Sequence, residues 1–121
     1  MTQNIINMLY RSKKIYVDDS PVHGRGVFCS EKIKAGEVIE ECHFFIIPPN
    51  IEYPAIIKEH FFSWPKGAEG LALCLGYGSI FNHSDDKWNA DWETDPSKMR
   101  FIFYSTRDIE IGEEIFTNYK R

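Results

Sequence analysis

The chain has no long apolar run, no excess of basic residues and no closely spaced pair of cysteines. Each absence excludes a class of protein. No stretch approaches the ~20 apolar residues that cross a bilayer. The opening Met1-Thr2-Gln3-Asn4-Ile5-Ile6-Asn7-Met8-Leu9-Tyr10 has no basic residue ahead of its apolar part, so it does not read as a signal peptide. A net charge of −4 argues against the basic footprint of a duplex binder. Neither direct nucleic-acid binding nor membrane attachment is therefore expected. Cys29, Cys42 and Cys74 are odd in number and far apart, which argues against a zinc cluster or a disulfide framework. The simpler reading is a reducing compartment, cytoplasmic or nuclear, and not secretion. The 4 histidines are scattered, and the acidic run from Asp85 to Asp95 lacks the central glycine of a calcium loop. No metal site is expected.

What is present is a soluble globular composition: 43% hydrophobic and 26% charged over 121 residues, enough for one domain with one core. Aromatics at 15% lean towards sheet. Residues 1–13 read as a flanking segment, with the first ten either a short amphipathic helix or a tail, and 14–121 as the domain. Lys14 to Asp18 alternates as a strand, and Val27-Phe28-Cys29 reads as the next. Val38 to Ile47 follows, stopped by Pro48-Pro49. Residues 50–70, aromatic-rich and without a steady period, read as an irregular insert with a helical turn around Ala55 to Phe62. Asp85 to Asp95 reads as a solvated loop or a face for a cation, Met99 to Thr106 as a buried strand, and Glu114 to Asn118 as the last strand. Ile33-Lys34-Ala35-Gly36-Glu37-Val38-Ile39 is echoed by Ile109-Glu110-Ile111-Gly112-Glu113-Glu114-Ile115, with a glycine free to take the positive φ of a tight turn in each. Many short strands and little helix make the domain mainly β.

Three separated segments carry the chemistry. Ser79-Ile80-Phe81-Asn82-His83-Ser84 leaves an apolar run and turns polar, offering amide, imidazole and backbone groups to a small ligand. His23-Gly24-Arg25-Gly26 precedes it, and Gly112-Glu113-Glu114-Ile115-Phe116-Thr117-Asn118-Tyr119 follows. Ser84 and His83 do not make a hydrolase site, because adjacent side chains on extended chain point apart. In their order and residues these segments resemble the SET domain, the fold of most protein lysine methyltransferases. The likeness covers the chain from about Lys14 onward and is closest in style to the minimal, zinc-free viral SET proteins.

The resemblance implies a mainly β, β-clip-like fold of several short sheets, with a knot-like C-terminal arrangement and few short helices. It implies S-adenosylmethionine as cofactor, bound by His23, Gly24, Arg25 and Gly26, by the Asn82 amide at the cofactor amino group, and by the His83 backbone. Tyr119 matches the family's active-site tyrosine. Its neutral phenol suits a reaction in which a neutral lysine amine attacks a methyl group in line with a sulfonium leaving group. Trp92, Tyr104, Tyr53 and His60 are the expected lysine-channel residues, gripping the lysine stem by apolar and cation–π contact.

The implied partner is a basic, lysine-containing protein or peptide, such as a histone tail, which the acidic run Asp85 to Asp95 would suit. Two departures stand out. Trp88-Asn89 replaces the Pro-Asn that often follows Asn-His, and a segment closing the channel does not follow Tyr119 before Lys120-Arg121. The expectation is that the first ten residues, a second subunit in a homodimer, or the substrate completes the site. The alternative is a SET-like module that binds cofactor or peptide with weak or no turnover.

Overall fold

A computed structural model describes residues 8–118. Strands β1 (Ile15–Asp19) and β2 (Arg25–Cys29) form an antiparallel hairpin, with Ile15 against Cys29 and Asp19 against Arg25. The turn between them is closed by the Ser20 N–H donating to Gly24 O at 2.8 Å, while the Ser20 hydroxyl accepts from Val22 N–H at 3.1 Å.

Strand β3 (Val38–Ile47) is one continuous element. Val38 through Cys42 pair with β8 (Arg100–Ser105), across a register shift between Val38 and Glu40, and His43 through Ile47 pair with β5 (Gly70–Leu75). Its two halves therefore belong to two ribbons, and the strand stops at prolines that cannot donate to a ladder.

The stretch 50–70 is more ordered than its composition implies. Helix α1 (Ala55–Lys58) makes one turn, and β4 (Phe61–Trp64) then pairs antiparallel with β5, with Phe61 against Leu73 and Trp64 against Gly70. The expected helical turn ends before Phe61 because Phe62 is drawn into the core as part of a strand. The acidic run divides in the same way. Its second half is β7 (Ala90–Asp95), paired along its length with β8, and Asp91 and Trp92 are buried. Strand pairing here overrides the polar signal of Asp91, Glu93 and Asp95.

The five-stranded sheet runs β4-β5-β3-β8-β7, and a four-stranded sheet runs β1-β2-β9-β6. Here β6 is Asn82–His83 and β9 is Glu114–Thr117; they pair in parallel while β9 pairs antiparallel with β2. The last strand thus lies between the strand of the first motif and that of the second.

The echoed heptapeptides are one device used twice. Ile33 and Ile109 exchange backbone hydrogen bonds at 2.9 and 2.8 Å. Gly36 and Gly112 have φ of +84° and +83°, the left-handed region that glycine enters at no steric cost. In each turn the glutamate N–H donates back three residues at 3.0 Å, to Lys34 O or Glu110 O. Its carboxylate accepts the N–H of that same residue, at 3.1 Å for Glu37 and 2.9 Å for Glu113.

The core is aromatic. Phe62, Trp92, Phe101 and Phe103 are wholly buried, with ring centroids 5.0 to 6.3 Å apart, the offset and edge-on spacing that aromatic pairs favour. Phe81 joins them through Phe103 at 5.0 Å, which anchors the residue just before Asn82.

Candidate active site

The second motif reaches the first through Asn82. Its buried carboxamide nitrogen donates to His23 O at 3.0 Å, Arg25 O at 3.1 Å and Glu114 Oε2 at 2.7 Å. One side chain therefore joins all three motif segments. The Glu114 carboxylate, 8% exposed, also accepts from the Ser20 hydroxyl at 2.8 Å. A Cβ at Gly26 would collide with that carboxylate and lie 3.2 Å from Asn82 Nδ2, so only glycine lets β2 pass this close. A buried carboxylate is tolerated because its oxygens are hydrogen-bonded. Asn89, wholly buried, closes the other side: its amide donates to Glu114 O at 2.9 Å and its oxygen accepts Phe116 N–H at 2.9 Å. The residue that follows Trp88 thereby holds β9 in place.

Two cavities lined by Asn82 open on the side of the first motif. The larger, about 620 Å³, has Ile56, Ile57, Leu73 and Ile80 as apolar wall, with Gly24 and Arg25 at its polar end. The smaller, about 180 Å³, is bounded by Val22, Phe81 and His83. His23, Glu59, His60 and Asn82 line both. Glu59 Oε1 lies 3.1 Å from His23 Nε2 and 3.8 Å from His60 Nε2, so the residue ending α1 is tied across the cleft to the first motif. His83 Nε2 is 2.7 Å from Asp85 Oδ1.

The structure therefore brings His23, Gly24, Arg25, Asn82, His83 and His60 around adjoining cavities, with Gly26 packed behind them. Tyr119 lies outside the described residues. Trp92 does not face an open channel: it is wholly buried against Phe62 and Phe101, 5.0 and 5.6 Å between centroids, because β7 is drawn onto the core. Tyr104 pairs with Asp91 and Val38, and alternation along β8 puts it on the face opposite the buried Phe103. Tyr53 donates to Pro48 O at 3.1 Å and packs edge-on against Phe61 at 5.3 Å. Of the four expected channel residues, only His60 lines these cavities. Glu59 and Ser20 had no sequence signal; Glu114 lay in a quoted motif without an assigned part. Among the described residues no group of three His, Cys, Asp or Glu side chains is placed to hold a metal.

A fold of two curled sheets, with a glycine-framed strand, an Asn-His strand and the last strand meeting at one cleft, defines a class. The SET domain family matches over residues 24–120, and the chain belongs to that family. A histone-lysine N-methyltransferase specific for H3 lysine-37 from Schizosaccharomyces pombe is 33% identical over 108 residues, covering 85% of this chain and 71% of that protein. The crystal structure of a candidate histone methyltransferase from Plasmodium falciparum aligns with a TM-score of 0.71 at 35% identity, covering 89% of this chain and 94% of that one. Polycomb Repressive Complex 2 of Chaetomium thermophilum, in an autoinhibited conformation bound to S-adenosylmethionine, aligns with a TM-score of 0.69 at 22% identity. That match covers 89% of this chain but 15% of the other, and it speaks to the fold alone.

Proposed function

We propose that this protein is a protein-lysine N-methyltransferase that uses S-adenosylmethionine and acts on a basic, lysine-containing protein, a histone tail being the first candidate. The observation that carries the reading is the Asn82 amide, which binds the backbone of the first motif and the Glu114 carboxylate of the third, at the edge of a cavity of about 620 Å³. That volume is within the ~300–1,000 Å³ of small-molecule sites. The residues fit the cofactor: apolar wall for its uncharged parts, glycine backbone for close approach, and one cation beside one amide for its amino-acid end.

When bound, the cofactor supplies a methyl group on a sulfonium, a leaving group that needs no protein nucleophile. Asn82 Nδ2 is engaged by protein acceptors, so its carbonyl oxygen is what meets the cofactor ammonium. The Arg25 guanidinium, at the polar end of the cavity, pairs with the carboxylate. The His83 backbone, Gly24 and His23 complete the cradle, with Gly26 making room for the Glu114 and Asn82 side chains behind it. Ile56, Ile57, Leu73 and Ile80 give the cofactor's uncharged parts an apolar wall to pack against. The Tyr119 phenol orients the lysine amine and stays neutral while doing so. His60 borders the lysine's path. Trp92 supports the insert from within the core through Phe62, and Tyr53 braces it through Phe61.

The relative from S. pombe supports placement inside the cell, where histones are found. No helix among the described residues is long and apolar enough to cross a membrane. Incubation of the protein with labelled S-adenosylmethionine and histone tail peptides is expected to label a lysine, and Tyr119→Phe to slow this about a hundredfold or more. Cofactor binding without transfer to any basic protein offered would instead favour a binding module.

A further inference from the structure

We infer that Glu59 is the counter-ion for an organic cation held where the two cavities meet. The inference rests on the methyltransferase reading, which brings in a sulfonium and a lysine that arrives as an ammonium and gives its proton to water before the neutral amine attacks. Two cations brought into one cleft repel, and a carboxylate between them offsets that repulsion. Among the residues lining either cavity Glu59 is the sole carboxylate, and it lines both. The other formal charge is Arg25, which lines only the larger cavity and is taken up by the cofactor carboxylate.

The position of Glu59 is set by backbone. It caps α1, its N–H donating to Ala55 O at 3.1 Å, so the carboxylate is delivered by a fixed turn. Its present partners are replaceable. The Glu59 and His23 side chains are 45% and 66% exposed, and ion pairs so exposed contribute little. His60 Nε2 at 3.8 Å is beyond hydrogen-bond reach, and its buried Nδ1 has no partner. A permanent cation seated in the cleft is therefore a better partner for this carboxylate than either imidazole. Two ligands carry such a cation, and they are separable because S-adenosylhomocysteine shares every group of the cofactor except the sulfonium methyl.

The test is calorimetric titration of wild type, Glu59→Gln and Glu59→Asp with S-adenosylmethionine and with S-adenosylhomocysteine, alongside KM for a lysine-containing tail peptide. Glu59→Gln is expected to lose about tenfold in one of two readouts, the scale of a charged hydrogen bond. Weaker S-adenosylmethionine binding with unchanged S-adenosylhomocysteine binding assigns the sulfonium. A raised peptide KM with unchanged cofactor affinity assigns the lysine ammonium. In either case Glu59→Asp, which keeps the charge, retains most of the wild-type value and controls for folding. Loss of both cofactor forms alike, or no change in any readout, overturns the inference and leaves the methyltransferase reading standing. Wild-type protein that binds neither cofactor form overturns both.

Discussion

Asn82 shows how much one side chain can organise. Its nitrogen gathers His23 O, Arg25 O and Glu114 Oε2 within 3.1 Å. Removing it leaves Glu114 Oε2 without that donor, at a cost of about 1–3 kcal/mol. Glu40 does the same for the turn that leads into the motif. The carboxylate, 1% exposed, accepts from Arg11 Nε at 2.6 Å, from Tyr77 N–H at 3.1 Å and from the Cys42 thiol at 3.1 Å, while the Arg11 guanidinium stacks on Tyr77 at 4.0 Å. Glu40→Ala is expected to lower stability by about 1–3 kcal/mol in urea unfolding, because Tyr77 N–H and the Arg11 guanidinium lose their shared acceptor. Cys29 is wholly buried, and burial, reinforced by Glu113 and Glu37, pushes its thiol up to about 11. Near neutral pH almost no thiolate exists, so iodoacetamide is expected to label Cys29 in denaturant and to spare it in the folded protein. Rapid labelling under native conditions would contradict the buried position.

At the scale of elements, the twin turns make a prediction about acid. Burial pushes the Glu37 carboxyl up, but the Lys14 ammonium and the Lys34 N–H outweigh it and hold it below the usual value. The Arg107 hydrogen bond holds Glu113 down against its own burial. Both carboxyls titrate lower in the folded chain than in the unfolded one. Their contribution is therefore complete above the ordinary value of 4.5 and is lost as pH falls through the lowered folded values. Melting temperature is expected to fall as pH drops below 4.5, and Arg107→Met to make that fall shallower. An identical slope in the variant would remove Glu113 from the account. These turns were legible in the sequence because an Ile-x-x-Gly-Glu-x-Ile repeat states the glycine φ; the capping carboxylate emerged only from the structure. β1 was legible through its alternation, β3 through its proline stop, β8 as an apolar run, and β2 and β9 through the glycines and turns that precede them. β4 and β7 were not. Their residues are polar or irregular locally and become strands only because β5 and β8 offer edges and Phe62 and Trp92 fill the core.

Across the whole molecule, the aromatic cluster is what lets three distant segments meet. Phe101 packs on Phe44, Phe62, Trp64 and Trp92 with centroids 5.3 to 5.7 Å away. Phe101→Ala is expected to destabilise the fold by about 3–5 kcal/mol, measured by chemical unfolding. The meeting of motifs was legible as a family pattern, whereas the Glu59 carboxylate between the cavities was not, since only the path of the insert puts it there. The most direct test of the account is calorimetric titration of S-adenosylmethionine into wild type and Asn82→Ala, with circular dichroism confirming that the variant is folded. Saturable binding to wild type that is lost in the folded variant is the predicted result. Equal affinity for both, or no binding to wild type, would contradict it.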